Sequence, residues 1–184
     1  MDDLSWYANV AKCEGIKQRP PVLACPSGQA LPISQVYDPV EAATGSYALS
    51  NGSLGPDSPL HIAKYENNGV FVYVARRKVY QLLDGLSNTI LLGEVMLADT
   101  WESSNTWTYA LVNADCLRST TNPLNTHPGT GIAIDLQNGA FGSQHPGGGN
   151  FCFADGHVQF INDQVEMRLY RGLSTIAKGD DEVR

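Results

Sequence analysis

The sequence predicts one α+β domain built on a mostly antiparallel β-sheet with long loops. Two observations lead to this prediction: the chain contains several β-branched, aromatic or continuously apolar runs of strand length, and turn residues separate them. The 184 residues are 42% hydrophobic, enough to bury a core, and include 18 glycines and 10 prolines. We therefore treat residues 1–184 as a single domain, with 1–20 a remnant helix or linker and the charged residues 178–184 a frayed tail.

The predicted elements follow in chain order. Residues 4–16 are weakly amphipathic and predict a short helix, which Pro20 and Pro21 would end. Closely spaced glycines and prolines between residues 22 and 55 restrict any strands there to short ones. A long polar loop is expected over residues 113–138. Strands are predicted at residues 69–74, 78–83, 89–95 and 106–112, and the nearly continuous apolar run of 89–95 predicts the centre of the sheet.

A β-hairpin is the strongest local prediction, because Asp155-Gly156 stands between two runs of strand character. If these two residues alone form the loop, Phe153 faces Val158 and Phe151 faces Phe160. These four side chains would then share the face that packs into the core. The opposite face would carry Cys152, Ala154, His157 and Gln159.

Charge and motif content exclude several classes of function. With 12 Lys and Arg against 19 Asp and Glu, the formal net charge is −7, which disfavours binding to nucleic acids and to anionic membrane surfaces. No run approaches the roughly 20 apolar residues of a membrane-spanning helix. The sequence also lacks a nucleophile elbow, a phosphate-binding loop and an H-E-x-x-H pair. We expect neither an enzyme nor a cofactor.

The four cysteines predict two disulfides. Cys13, Cys25, Cys116 and Cys152 are scattered, whereas a zinc site would require close pairs. Cys13 and Cys25 flank a short segment, and the long loop around Cys116 could cover the outward face of Cys152, so we expect the pairs Cys13–Cys25 and Cys116–Cys152. This pattern favours an oxidising, exported location. The alternative is four reduced thiols.

Three signatures occur in order: Cys25-Pro26-Ser27, the run DGLSNTILLGE from Asp84 to Glu94, and His145 separated by nine residues from Asp155-Gly156. Together they resemble the planctomycete-type prepilin-like family named for its H-x9-DG motif. That family is also known as domain of unknown function 1559 and is similar to type II secretion pseudopilins. The resemblance covers residues 20–165.

The resemblance implies a pilin-like fold and a structural role in a type II secretion or type IV pilus-like assembly. It also implies a prepilin leader and an N-terminal helix that anchors the protein in the inner membrane, and we expect the printed chain to begin after that helix. Other pilin-like subunits or the secretion machinery would be the partners. The domain would lie outside the cytoplasm, in the periplasm or at the cell surface. The alternative is an exported module that binds a small solute or a glycan.

The motif residues allow a structural and a functional interpretation. Asp84-Gly85 and Asp155-Gly156 suit tight turns, and the side chains of Ser87 and Asn88 can bond local backbone groups. We expect His145 to cap the glycine loop that follows it, too far from Asp155 for an acid–base pair; a recognition, metal or catalytic role is the alternative. The functional alternative for the carboxylates is a calcium site with oxygen ligands from Asp84, Asn88, Glu94 and Asp155.

Overall fold

The computed structural model describes residues 9–28, 31–54, 65–100, 103–108, 116–127, 130 and 139–177. These residues form an α+β structure in which strands predominate, as predicted. Short 3-10 helices cover Glu14–Lys17, Pro21–Leu23, Val79–Gln81 and Leu86–Asn88. The strands and the C-terminal helix are β1 (Ile33–Tyr37), β2 (Val40–Ala43), β3 (Tyr47–Gly52), β4 (Ile90–Glu94), β5 (Leu117–Ser119), β6 (Gly148–Phe153), β7 (Val158–Asn162) and α1 (Met167–Gly172).

The main sheet has five strands in the order β5-β3-β4-β6-β7, and β1 and β2 form a separate two-stranded ribbon. All pairs are antiparallel except β3 with β5. The prediction that residues 89–95 form the central strand is confirmed, because β4 pairs with β3 on one side and β6 on the other. The apolar run is required there, since a central strand is covered by neighbours at both edges and by the core on one face.

One face of this sheet, the inner face, carries the core. Ala48, Ile90, Phe151 and Phe153 are fully buried there. The ring of Phe151 packs edge-on between two buried rings of other segments, with centroid distances of 5.4 Å to Phe141 and 6.1 Å to Tyr170 of α1. The C-terminal helix and the segment before β6 therefore close the inner face.

The hairpin at Asp155-Gly156 forms, but its predicted register is wrong by one residue. The loop holds three residues, because the backbone N–H of Phe153 bonds the carbonyl of His157 and Gly156 takes a φ of 91°. Cys152 consequently faces Val158. A one-residue shift moves every side chain of a strand to the opposite face. Val158 and Phe160 are therefore 66% and 46% exposed instead of buried.

The strands predicted at 69–74 and 78–83 are absent, and both segments are irregular apart from a 3-10 turn. The N–H groups of Gly69 and Phe71 bond β3 carbonyls, but the chain then turns at Val74, whose φ of 62° is incompatible with an extended strand. Of the strand predicted at 106–112, Thr106 makes one isolated bridge to Thr44.

Several other predictions fall partly or wholly outside the described residues. These are residues 4–8 of the predicted N-terminal helix, residues 109–112, much of the 113–138 loop, and the tail at 178–184. Across the ranges that the structure describes, no helix is both long and apolar enough to traverse a bilayer.

Candidate functional site

The three sequence signatures meet in space, and each contributes one side chain to a common cluster. Cys25 Sγ lies 3.5 Å from Glu94 Oε1 and 3.9 Å from His145 Nε2. The same His145 nitrogen lies 3.2 Å from Glu94 Oε1. A sulfur, an oxygen and a nitrogen thus converge on one point, although Cys25 and His145 are 120 residues apart in the chain.

Glu94 is the buried centre of this cluster. It ends β4, and its side chain is only 5% exposed. Oε2 accepts hydrogen bonds from the backbone N–H of Asn150, at 2.7 Å, and from the Asn150 side-chain amide, at 3.2 Å. Because Asn150 on β6 occupies Oε2, the other oxygen, Oε1, is left to face Cys25 and His145.

A tight loop places His145. Its backbone N–H donates to Ser143 Oγ at 3.0 Å, and Ser143 Oγ donates in turn to the carbonyl of Gly148 at 2.6 Å. The backbone N–H of Ser143 is itself bonded to the side chain of Asn125. The imidazole of His145 remains 32% exposed, so the cluster is accessible from solvent on that side.

Cys25 follows the 3-10 turn Pro21–Leu23 and begins a second turn, in which the N–H of Gly28 bonds its carbonyl at 2.9 Å. A Cβ at Gly28 would lie only 3.1 Å from that carbonyl oxygen and 3.3 Å from the Cys25 Cβ, so the turn is compact. Tyr47 adjoins the cluster: burial raises the pKa of its hydroxyl, and the neighbouring Cys25 and Glu94 raise it further.

The two predicted disulfides, Cys13–Cys25 and Cys116–Cys152, do not form, and all four cysteines are reduced. Cys25 is engaged with Glu94 and His145 instead. Cys152 bonds the carbonyl of Phe153 at 3.6 Å, and Cys13 is exposed. The prediction failed because sequence spacing shows which cysteines could be bridged but not which way their side chains face.

The remaining motif residues lie in turns. Gly85 has a φ of 90°, Asn88 donates to the Asp84 carbonyl at 2.9 Å, and Ser87 lies in the 3-10 turn Leu86–Asn88. The side chain of Asp84 accepts a hydrogen bond from Thr175 at 3.2 Å.

Asp155 contacts His157 rather than His145. Its Oδ1 is 2.6 Å from His157 Nδ1, and this hydrogen bond lowers the pKa of the Asp155 carboxyl. The three carboxylates that were proposed as calcium ligands, Asp84, Glu94 and Asp155, thus each bond a different residue. Within the described part of the chain, Cys25, Glu94 and His145 are the one group of three acidic, His or Cys side chains with ligand atoms within 4.8 Å of one another.

Sequence reasoning assigned Cys25 to a disulfide, Glu94 to a calcium site and His145 to a structural cap, and it missed that the three meet. A signal was available, because each signature contains at least one side chain that commonly binds a transition metal. That residues of three distant segments lie close together can be inferred only once the strand order is known.

Comparison with known proteins identifies a family but no characterised relative. The family model described as "Protein of unknown function (DUF1559)" matches residues 2–168. No curated protein and no solved structure matches the chain significantly.

Proposed function

The chain belongs to the DUF1559 family, and from that premise we propose that it is the extracytoplasmic domain of a pilin-like structural subunit. The subunit would be anchored in the inner membrane by an N-terminal helix and would assemble with other pilin-like subunits or with the secretion machinery. The anchor and the partners are inferred from the resemblance of the three signatures to prepilin-like proteins. The observation that carries the proposal is a partly exposed apolar row on the sheet.

The second face of the five-stranded sheet, the outer face, carries this row. Leu49, Leu92, Cys152 and Val158 are successive partners across β3, β4, β6 and β7. The first three are half-buried and Val158 is largely exposed. Phe160 extends the apolar surface along β7. We call these five residues the outer apolar row.

A soluble domain normally covers such a continuous apolar strip on a sheet. An apolar helix is a suitable occupant, because a sheet that exposes apolar side chains is commonly covered by the apolar stripe of a helix. We propose that the N-terminal helix implied by the resemblance packs on the outer apolar row. That arrangement would fix the domain relative to the membrane.

The alternative is an exported module that binds a small solute or a glycan, and the cleft beside the cluster does not supply the site that it would need. Such sites are usually clefts that enclose most of their ligand. The cleft beside the cluster, lined by Cys25, Ser46, Glu94 and Ser143 among others, has room for roughly one water molecule. A cleft of that size does not favour a sugar or an amino acid as ligand.

The test is a charge placed on the outer apolar row in the complete membrane-bound protein. Val158→Asp should leave the domain folded, because this side chain is already 66% exposed, but it should prevent the protein from co-fractionating with other pilin-like subunits. Val22→Asp is the matched control, since Val22 is 79% exposed and does not belong to the row. Normal co-fractionation of the Val158→Asp protein would contradict the proposal, as would a complete protein that is absent from the membrane fraction.

A further inference from the structure

We propose that Cys25, Glu94 and His145 form a zinc-binding site. The site lies on the same outer face of the sheet, beside the outer apolar row, but it uses other residues and does not depend on the proposed assembly role. It goes beyond that role, because the proposed assembly does not itself assign a metal-binding site to the protein. Three features support the site: the geometry of the three ligand atoms, their chemistry and the contacts that hold them in place.

The separations between the ligand atoms match a tetrahedral zinc ion. Usual Zn–S, Zn–N and Zn–O bond lengths at tetrahedral angles imply S···N and S···O separations of about 3.6 Å and an N···O separation of about 3.4 Å. The observed values are 3.9 Å for Cys25 to His145, 3.5 Å for Cys25 to Glu94, and 3.2 Å for His145 to Glu94. Shifts of a few tenths of an ångström would therefore bring all three atoms to bonding distance of one ion.

The same geometry argues against a nucleophilic triad. In a Cys-His-acid triad, the imidazole bonds the thiol through one ring nitrogen and the acid through the other. Here a single nitrogen, His145 Nε2, faces both Cys25 Sγ and Glu94 Oε1. Three donor atoms directed at one point suit a cation at that point.

The donor set selects the metal. A thiolate, an imidazole and a carboxylate are the three side-chain ligands that zinc uses most, whereas calcium takes oxygen ligands only. When zinc binds, the Cys25 S–H bond is broken, the sulfur forms the Zn–S bond, and the proton leaves to solvent. Thiolate and carboxylate together carry two negative charges and so neutralise the ion, which reduces the cost of placing it beside the buried Glu94.

The surrounding contacts preorganise the ligands. Asn150 orients Glu94 through two hydrogen bonds to Oε2, and such second contacts to a ligand usually strengthen metal binding. Ser143 holds the His145 loop. The adjoining cleft, with Ser46 on its wall, has room for roughly one water molecule as a fourth ligand. Three protein ligands and one water describe an open rather than a closed zinc site.

The first experiment titrates the reduced, metal-free 184-residue chain with Zn²⁺ and, separately, with Co²⁺. We expect one Zn²⁺ per chain and a cobalt spectrum with a sulfur-to-metal charge-transfer band and the intense visible bands of tetrahedral coordination. Cys25→Ser and His145→Gln should each lower the zinc affinity at least tenfold, and Cys25→Ser should also abolish the sulfur band. The matched controls are Cys152→Ser and His157→Gln, which should bind as the unchanged chain does.

A second measurement avoids substitutions, in case a variant folds poorly. Zn²⁺ should protect Cys25 from alkylation in the unchanged chain, while the exposed Cys13 provides an internal control that continues to react. Peptide mass spectrometry reports both residues in one sample. The proposal is overturned if Co²⁺ binds without a sulfur band, if Zn²⁺ leaves Cys25 as reactive as before, or if Cys25→Ser binds zinc with unchanged affinity.

Discussion

Replacement of Gly93 by alanine should destabilise the domain by overpacking its core. Gly93 lies in β4, opposite Phe151 of β6. A Cβ at this position would lie 2.4 and 2.5 Å from two atoms of the Phe151 ring and 2.9 Å from the Phe141 ring. Since ordinary contact begins at 3.4 Å, the Phe151 ring would have to withdraw by about 1 Å. It has little space to do so, because it is fully buried between Phe141 and Tyr170.

The expected loss follows from two opposing contributions. Overpacking of a well-packed core costs about 1–3 kcal/mol. Replacing a strand glycine by alanine recovers about 0.5–1 kcal/mol of backbone entropy. The two ranges differ by about 0–2.5 kcal/mol, and the severe contact at 2.4 Å places Gly93→Ala in the upper part of that range. The free energy of unfolding should therefore fall by about 1–2.5 kcal/mol, which for a domain of this size lowers the melting temperature by roughly 2–10 °C.

Urea unfolding and thermal melting of the purified chain measure this loss. Gly45→Ala is the control, because Gly45 is also buried but its added Cβ would meet only ordinary contacts at 3.8 Å. The double variant Gly93→Ala/Phe151→Leu should lose at least about 0.5 kcal/mol less than the sum of its single variants, since the smaller leucine makes room for the new methyl group. If Gly93→Ala is as stable as Gly45→Ala and the double variant shows no coupling, the steric reasoning is refuted.

Two further predictions concern single side chains. Tyr170→Phe should raise the free energy of unfolding by about 1 kcal/mol in urea, because the buried hydroxyl has no hydrogen-bond partner in the described structure; a destabilised variant would reveal a bond to that oxygen. His157→Ala should return the pKa of Asp155, measured by NMR, upward toward the usual 3.8, since the hydrogen bond from His157 is the main cause of its lowered value. A lowered carboxyl pKa contributes stability that is fully present above the unfolded-state pKa and is lost as pH falls through the folded-state pKa. The unchanged chain should therefore lose this contribution as pH falls from about 3.8 to the lowered folded-state value. An Asp155 pKa that does not respond to His157→Ala would contradict the assignment.

Much of the sheet was predictable because its signals are local. The apolar run of residues 89–95 identified the central strand, since such a run is typical of a strand with neighbours at both edges. Asp155-Gly156 identified the hairpin, because a glycine there accepts a positive φ. The strand predicted at 69–74 was wrong, because its composition suits a strand but the positive φ of Val74 ends the extended chain.

The sequence by itself determined the α+β class, the central strand, the position of the last hairpin and the three signatures that indicate the family. Tertiary structure decided the hairpin register. Asp155-Gly156 suits a loop of two residues and a loop of three residues equally well, and only the packing of Phe151 and Ile161 into the core selects the three-residue loop. Tertiary structure also decided which side chains form the cluster. Cys25 and Glu94 are 69 residues apart, and their side chains meet only because β4 lies at the centre of the sheet, beside the loops that carry Cys25 and His145.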